Sequence, residues 1–137
     1  HSFDLDARLY LSAIQAVAYG TRAIIEAMNE AGFAIETVLA TGGGTKNPLW
    51  LAQHADALGV PLRMGEETES VLLGAAILGA HASGDYSSVT DAMKAMARPG
   101  PVVHPNPETR TYHDAKYAIW RDLYEAQKRH RAAMDAV

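Results

Sequence analysis

The sequence predicts an α/β protein, helix-rich with two or three short strands. Three observations carry that expectation. The β-rich run Thr37-Val38-Leu39-Ala40 feeds three successive glycines, Gly42-Gly43-Gly44, and Asn47-Pro48 then opens a helix. Ile35 to Thr41 reads as an almost continuous apolar run, which suits a parallel strand buried on both faces. The flanking segments repeat apolar residues at three- and four-residue steps, as helices do.

Residues 5 to 31 make the first of these helices. Leu9, Ala13, Ala16, Gly20, Ile24, Ala27 and Ala31 form one stripe along it. Most of the stripe is small, so it is expected to pack close against another element. Gly32 suits a left-handed end. The strand over 35–41 then reaches the glycine turn, where missing Cβ atoms permit positive φ and let a ligand approach the backbone. Asn47 occupies a favoured capping position and Pro48 the first helical position, so a helix over 48–58 follows, stopped by Gly59. Its free N–H groups and positive dipole end face the turn, a candidate anion or nucleotide platform. The stretch is neither a Walker loop nor GxGxxG, and a purely steric glycine turn is the competing reading.

Within that helix Leu51, Ala55 and Leu58 are expected inside, with His54 on a solvated rim. Val60-Pro61-Leu62-Arg63 reads as a short second strand, with Pro61 marking an edge or a start. Glu66, Glu67 and Glu69 are read as a solvated acidic helix start rather than metal ligands. The helix over 70–83 is apolar nearly all round, and Gly74, Ala75, Ala76, Gly79 and Ala80 make it thin. Such a helix is expected to be buried, its backbone pressed against a neighbour or a ligand, with no room for a large side chain at Gly74. Ser88 and Asp91 suggest a capping box for a helix over 88–97, with Met93 and Met96 inward. Arg98 to Pro107 reads as a proline-rich extended linker. A last amphipathic helix covers 108–134, with Tyr112, Ile119, Leu123 and Gln127 on one side. Lys128, Arg129, His130 and Arg131 make a basic patch near its end, and cations there are what the helix dipole favours.

Composition excludes several classes. The chain has 137 residues, 48% of them apolar, enough to bury a core and too many for disorder. A net charge of −4 argues against a basic face for nucleic acid. With no cysteine there is no disulfide framework, thiolate metal site or cysteine nucleophile. The longest apolar run, Val71 to Ala82, holds two glycines and a histidine and is too short for a bilayer. A soluble, cytoplasmic protein with no membrane or nucleic-acid partner is therefore expected. The six histidines show no HExxH spacing and no serine sits in a GxSxG elbow. No catalytic constellation emerges. The chain opens His1-Ser2-Phe3-Asp4, without methionine, which suggests a fragment or a processed product.

The ordered set of residues says more. Gly42-Gly43-Gly44-Thr45-Lys46-Asn47-Pro48-Leu49-Trp50 is followed by Gln53-His54-Ala55-Asp56, Leu58-Gly59-Val60-Pro61 and Glu69-Ser70-Val71-Leu72-Leu73-Gly74-Ala75-Ala76. In order and spacing this resembles the C-terminal, ATP-side domain of the FGGY carbohydrate kinases, most of all the pentulose-kinase branch that phosphorylates D-ribulose. Gly79 to Tyr86, Ala92 to Met96 and the terminal Tyr112/Tyr117 helix resemble that branch too.

The resemblance implies the distal part of a ribonuclease-H-like ATPase domain of the actin and hexokinase type, with residues 1–137 as one partial domain. It implies ATP and Mg2+ as cofactors and a small sugar as substrate. Gly42, Gly43 and Gly44 would lie against the nucleotide phosphates, Asn47 near the adenosine, and Gly74 beneath the turn. Asn47 is also a helix cap, and the two roles are compatible. Lys46 is read as solvated. The family's usual Glu-Gly in the first helix reads Gln15-Ala16 here. The sugar domain, the phosphate hairpin, the catalytic aspartate and the metal ligands are expected upstream, so the partner is the missing N-terminal part, and a homodimer is left open. Competing readings are a kinase for another sugar or polyol, a non-catalytic actin-like nucleotide-binding module, and a helical interaction module with a steric turn.

Overall fold

A computed structural model describes residues 2–136. Helix α1 (Ser2–Glu30) leads to strand β1 (Val38–Leu39), a 3-10 turn (Gly43–Lys46) and helix α2 (Pro48–Leu58). Strand β2 (Leu62–Gly65), helices α3 (Ser70–Ala82) and α4 (Val89–Met96), strand β3 (Pro99–Val103) and helix α5 (Arg110–Asp135) follow. The sheet order is β1-β2-β3. β1 runs parallel to β2, with Val38 opposite Leu62, so β1, α2 and β2 form a parallel crossover unit. β3 is antiparallel to β2, with Leu62 opposite Val103 and an irregularity between Arg63 and Gly65.

Two small cores hold these layers together. Ala40, Leu51, Ala55, Leu58 and Leu62 bury the inner face of α2 against the sheet. On the other side of α2, Ala57 meets Ala18 and Tyr19 of α1 and Tyr117 of α5.

Several expectations change here. The first strand is two residues rather than seven, because the segment before it is tied to the end of α1. The Phe33 N–H donates to the Met28 carbonyl, and the Ile35 N–H donates to Asn29 Oδ1 at 2.9 Å. β2 is the central strand, so Pro61 marks a strand start and not an edge. Its carbonyl, which needs no N–H, accepts from Val38 N at 3.1 Å. The stretch expected as a linker contains β3, and its prolines are tolerated because β3 is an edge strand.

The helix faces change as well. On α1 the small stripe is not the packed face: Leu9 and Ile24 are 61% and 62% exposed, and Ala13, Ala16 and Ala27 are also exposed. Ile14, Gln15, Ala18, Tyr19 and Arg22 are buried instead. Periodicity counted only apolar side chains, whereas two of the inward positions are polar groups with partners. Gln15 Nε2 donates to Gln53 Oε1 at 2.6 Å, and Gln15 Oε1 accepts from Lys116 Nζ at 2.5 Å. Arg22 pairs with Glu26 at 2.9 Å and Asp114 at 2.7 Å and lies 4.2 Å over the Tyr117 ring. On α5 the buried residues are accordingly His113 and Tyr117, while Tyr112, Ile119 and Leu123 are more than half exposed. On α4 it is Ala92 that is buried, with Met93 exposed.

Helix α3 departs most. It rests against α4, and of its residues only Ile77 is buried. A Cβ at Gly74 or Gly79 would meet nothing within 4 Å. The expected overpacking at Gly74 does not occur in this chain. A helix-interior glycine with free space around it carries its entropic cost unrelieved, so Gly74→Ala should stabilise the isolated chain by about 0.5–1 kcal/mol. A rise in melting temperature checks this, and a fall would show that α3 is closed by a neighbour.

Candidate functional site

The head of α2 is built by three local devices. Gly42 adopts φ 88° and ψ −170°, a conformation closed to residues with a Cβ, and so turns the chain out of β1. Thr45 then locks the turn, donating from both its N–H and its hydroxyl to the Gly42 carbonyl at 3.1 and 2.7 Å. Asn47 caps α2, with Oδ1 accepting from Leu49 N at 3.0 Å and Trp50 N at 3.2 Å, and Pro48 takes the first helical position. A 3-10 turn leaves the N–H groups of its first residues without a partner inside the turn, here those of Gly43 and Gly44. Pro48 has no N–H and Asn47 takes those of Leu49 and Trp50, so the donors left at this exposed stretch are those of Gly43 and Gly44, not the free helix N–H groups expected from the sequence.

The three glycines stand there for different reasons. Gly42 needs its backbone angle. Gly44 lies on the indole of Trp50, where a Cβ would come within 3.3 Å of the ring. Gly43 has neither reason: its φ is not in the positive range, and a Cβ there would meet nothing within 4 Å.

A cavity of about 270 Å3 opens between this turn and the start of α3, lined among others by Thr41, Thr45, Glu67, Ser70, Leu73 and Arg98. Lys46 reaches across to Glu69, Nζ to Oε1 3.0 Å, with both side chains more than half exposed. Glu66, Glu67 and Glu69 lie on the exposed approach to α3. Among the described residues no three His, Asp or Glu side chains come together in a way that could hold a metal ion. Gly74 lies on α3, and a Cβ there would meet nothing within 4 Å, the turn's glycines included.

Two residues of this neighbourhood were not anticipated. Tyr10 of α1 accepts a hydrogen bond from Asn47 Nδ2 at 2.8 Å, so the Asn47 amide is engaged at both ends. No local pattern marks Tyr10, because the contact spans 37 positions. His54 is the other. It was expected on a solvated rim but is 2% exposed, stacked on Trp50 with ring centroids 3.6 Å apart. Its Nδ1 donates to the Trp50 carbonyl oxygen at 2.8 Å. The aromatic at i−4 was the available signal.

Burial holds His54 below its ordinary value of 6.5. His113, 1% exposed, is also lowered, first by burial and further by Lys116 and Arg22. Both rings therefore take up a proton less readily in the folded chain than in the unfolded chain, where imidazoles titrate near 6.5. Above that value protonation does not distinguish the states. Below it the unfolded state binds more protons, so stability should fall between about pH 6.5 and the lower folded values. Urea midpoints at a series of pH values check this, and a midpoint flat across that window would refute it. The lowered carboxyls of Glu26 and Asp114 act in a separate window, on the acid side of 4.5 and 3.8.

Likeness to solved sugar kinases assigns the parallel crossover unit and its glycine turn to the actin and hexokinase-type ATPase fold. The chain superposes on a xylulose kinase from Rhodospirillum rubrum with a TM-score of 0.68 at 26% identity, covering 85% of this chain and 24% of that one. Residues 1–83 match the FGGY family of carbohydrate kinases, C-terminal domain. The chain belongs to that family. It is 50% identical over 136 residues to an FGGY carbohydrate kinase domain-containing protein of Homo sapiens, covering 98% of this chain and 25% of the relative. It is 37% identical over 117 residues to a ribulokinase of Mycolicibacterium smegmatis, covering 85% of this chain and 21% of that protein. The chain thus spans about a quarter of the length of the curated relatives it matches. No helix among the described residues is long and apolar enough to cross a membrane.

Proposed function

We propose that the intact protein is an ATP-dependent sugar kinase and that this chain supplies part of its nucleotide side. Gly42, Gly43 and Gly44 lie against the phosphates and Asn47 near the adenosine. The observation that carries this reading is Gly43. A glycine that neither backbone angle nor packing requires, exposed on a turn whose first N–H groups have no partner within it, is accounted for by a ligand approaching the backbone. The steric-turn reading explains Gly42 and Gly44 and leaves Gly43 over.

Residues 1–137 are the C-terminal portion of a larger domain. The exposed stripe of α1 and the uncovered Gly74 side of α3 support this, because they are faces for the rest of the protein to cover. The catalytic base and metal ligands belong to that remainder. Mg2+ would neutralise charge on the transferring phosphoryl group, and this chain's turn would hold the nucleotide in place for it. The acceptor is a pentulose such as D-ribulose, a choice supported by the ribulokinase relative. The likeness to a xylulose kinase supports the neighbouring reading of a different pentulose. A cytoplasmic location accords with this chemistry.

The test is the full-length protein, assayed with Mg-ATP against a panel of pentuloses, hexuloses and polyols. Pentulose-dependent ADP release is expected, with D-ribulose best. The 137-residue chain alone should release none, because a half cleft neither excludes water nor contains the base. A full-length protein that binds ATP but phosphorylates no member of the panel would favour a non-catalytic nucleotide module.

A further inference from the structure

Trp50 stands in the first turn of α2, three residues after the cap, with its indole beside Gly44 and stacked on His54. Gly44 lies so close that a Cβ would stand 3.3 to 3.4 Å from Cε2, Cδ2 and Cζ2. The His54 ring stacks on the same indole at 3.6 Å, 27° from parallel. That imidazole is not free to swing, because its Nδ1 is bound to the Trp50 carbonyl one helical turn back. Its Nε2 is buried and makes no hydrogen bond with the described residues. A buried polar atom left unpaired is unfavourable, and a leucine would fill an apolar position without it. Among the described residues the contacts of this ring are the stack on Trp50 and the Nδ1 bond.

We propose that Trp50 is a positioning residue for the nucleotide, with His54 fixing the indole and the indole setting where Gly43 and Gly44 present their N–H groups. The proposal rests on the reading of the turn as a phosphate contact. The chain of neighbours is short: the Trp50 carbonyl holds the imidazole, the imidazole stacks on the indole, and the indole occupies the space beside Gly44. The other restraints on the turn, the Thr45 bonds to Gly42 and the Asn47 cap, fix its ends. At its middle the Gly44 carbonyl accepts from Asn47 N at 3.1 Å, and the indole lies on the side where a Gly44 Cβ would stand. A displacement of about 1 Å at such a point is enough to cost on the order of a hundredfold in a reaction that depends on alignment.

The experiment uses the full-length kinase and compares KM for ATP, KM for the sugar and kcat. Gly44→Ala adds one methyl on an exposed turn, 3.3 Å from a ring that is stacked on His54. It should raise the ATP KM about tenfold with the sugar KM within about twofold. Trp50→Ala should act in the same direction, Trp50→Phe should recover most of the loss, and Gly44→Ala combined with Trp50→Ala should cost less than the product of the two. If Trp50→Ala does not fold, Gly44→Ala and Trp50→Phe carry the comparison. Gly43→Val serves as the reference for the turn itself. A raised ATP KM for Gly43→Val beside an unchanged one for Gly44→Ala and the Trp50 variants overturns the positioning role and leaves the nucleotide reading intact. An unchanged ATP KM for Gly43→Val overturns both.

Discussion

Gly43→Val in the intact kinase should raise the KM for ATP by an order of magnitude or more while the KM for the sugar stays within about twofold. The side chain would not clash with the protein, since a Cβ at Gly43 has open space around it. The folded chain should therefore tolerate the change, apart from the restricted χ1 and backbone of a β-branched residue. What the two γ-methyls would fill is the open space beside Gly43, where the proposed reading puts a phosphate. A phosphate held there would be pushed away, and its loss would be felt by ATP and not by the acceptor. Gly43→Ala should produce a smaller effect in the same direction. Initial-rate kinetics with each substrate varied in turn separate the two constants, and a melting curve confirms that the fold survives. Equal effects on both substrates, with the fold preserved, would remove the turn from the nucleotide site.

The local parts of this structure were legible because their physics is local. A cap needs an oxygen at one position and proline at the next, and Asn47 and Pro48 supply both within two residues. The end of α2 at Gly59, with φ 72°, and the Ser88 cap on Asp91 N, at 3.1 Å, follow from equally short signals. Helix faces were less legible. The small stripe of α1 fits helical periodicity as well as the true inner face does, but the inner face contains Gln15 and Arg22. Their burial makes sense only beside Gln53, Lys116 and Asp114, up to 101 residues away. His54 was misjudged for the same reason: a histidine is counted as polar until the aromatic that covers it is known. β3 was hidden by its prolines, which a central strand would refuse and an edge strand accepts. Within the candidate site the glycines and the cap were visible, and the residues that hold them, Tyr10 and Trp50 with His54, were not.

Tyr19→Ala should come close to abolishing the fold. Tyr19 is 1% exposed at the meeting of α1 and α5, with the rings of Tyr117 5.8 Å and Trp120 6.4 Å away. It also meets His113 edge-on, with centroids 5.9 Å apart, and its hydroxyl lies 3.0 Å from His113 Nδ1. Removing a buried aromatic costs about 3–5 kcal/mol through lost transfer energy and the cavity left behind. The substitution also orphans His113, itself 1% exposed, and an unsatisfied buried polar group adds about 1–3 kcal/mol. Against a typical domain stability of about 5–15 kcal/mol, the sum is comparable with the whole. Tyr19→Phe separates the two parts, since it keeps the ring and removes only the hydroxyl; its cost should be about 1–3 kcal/mol. The phenol is pushed up to about 12, chiefly by burial, so the hydroxyl stays protonated and this difference should not vary between neutral and mildly alkaline pH. Urea unfolding of the wild type and the two variants provides the measurement. A Tyr19→Ala midpoint equal to that of Tyr19→Phe would mean that the ring adds nothing to the α1–α5 contact, and the core would then rest on the sheet and α2 alone.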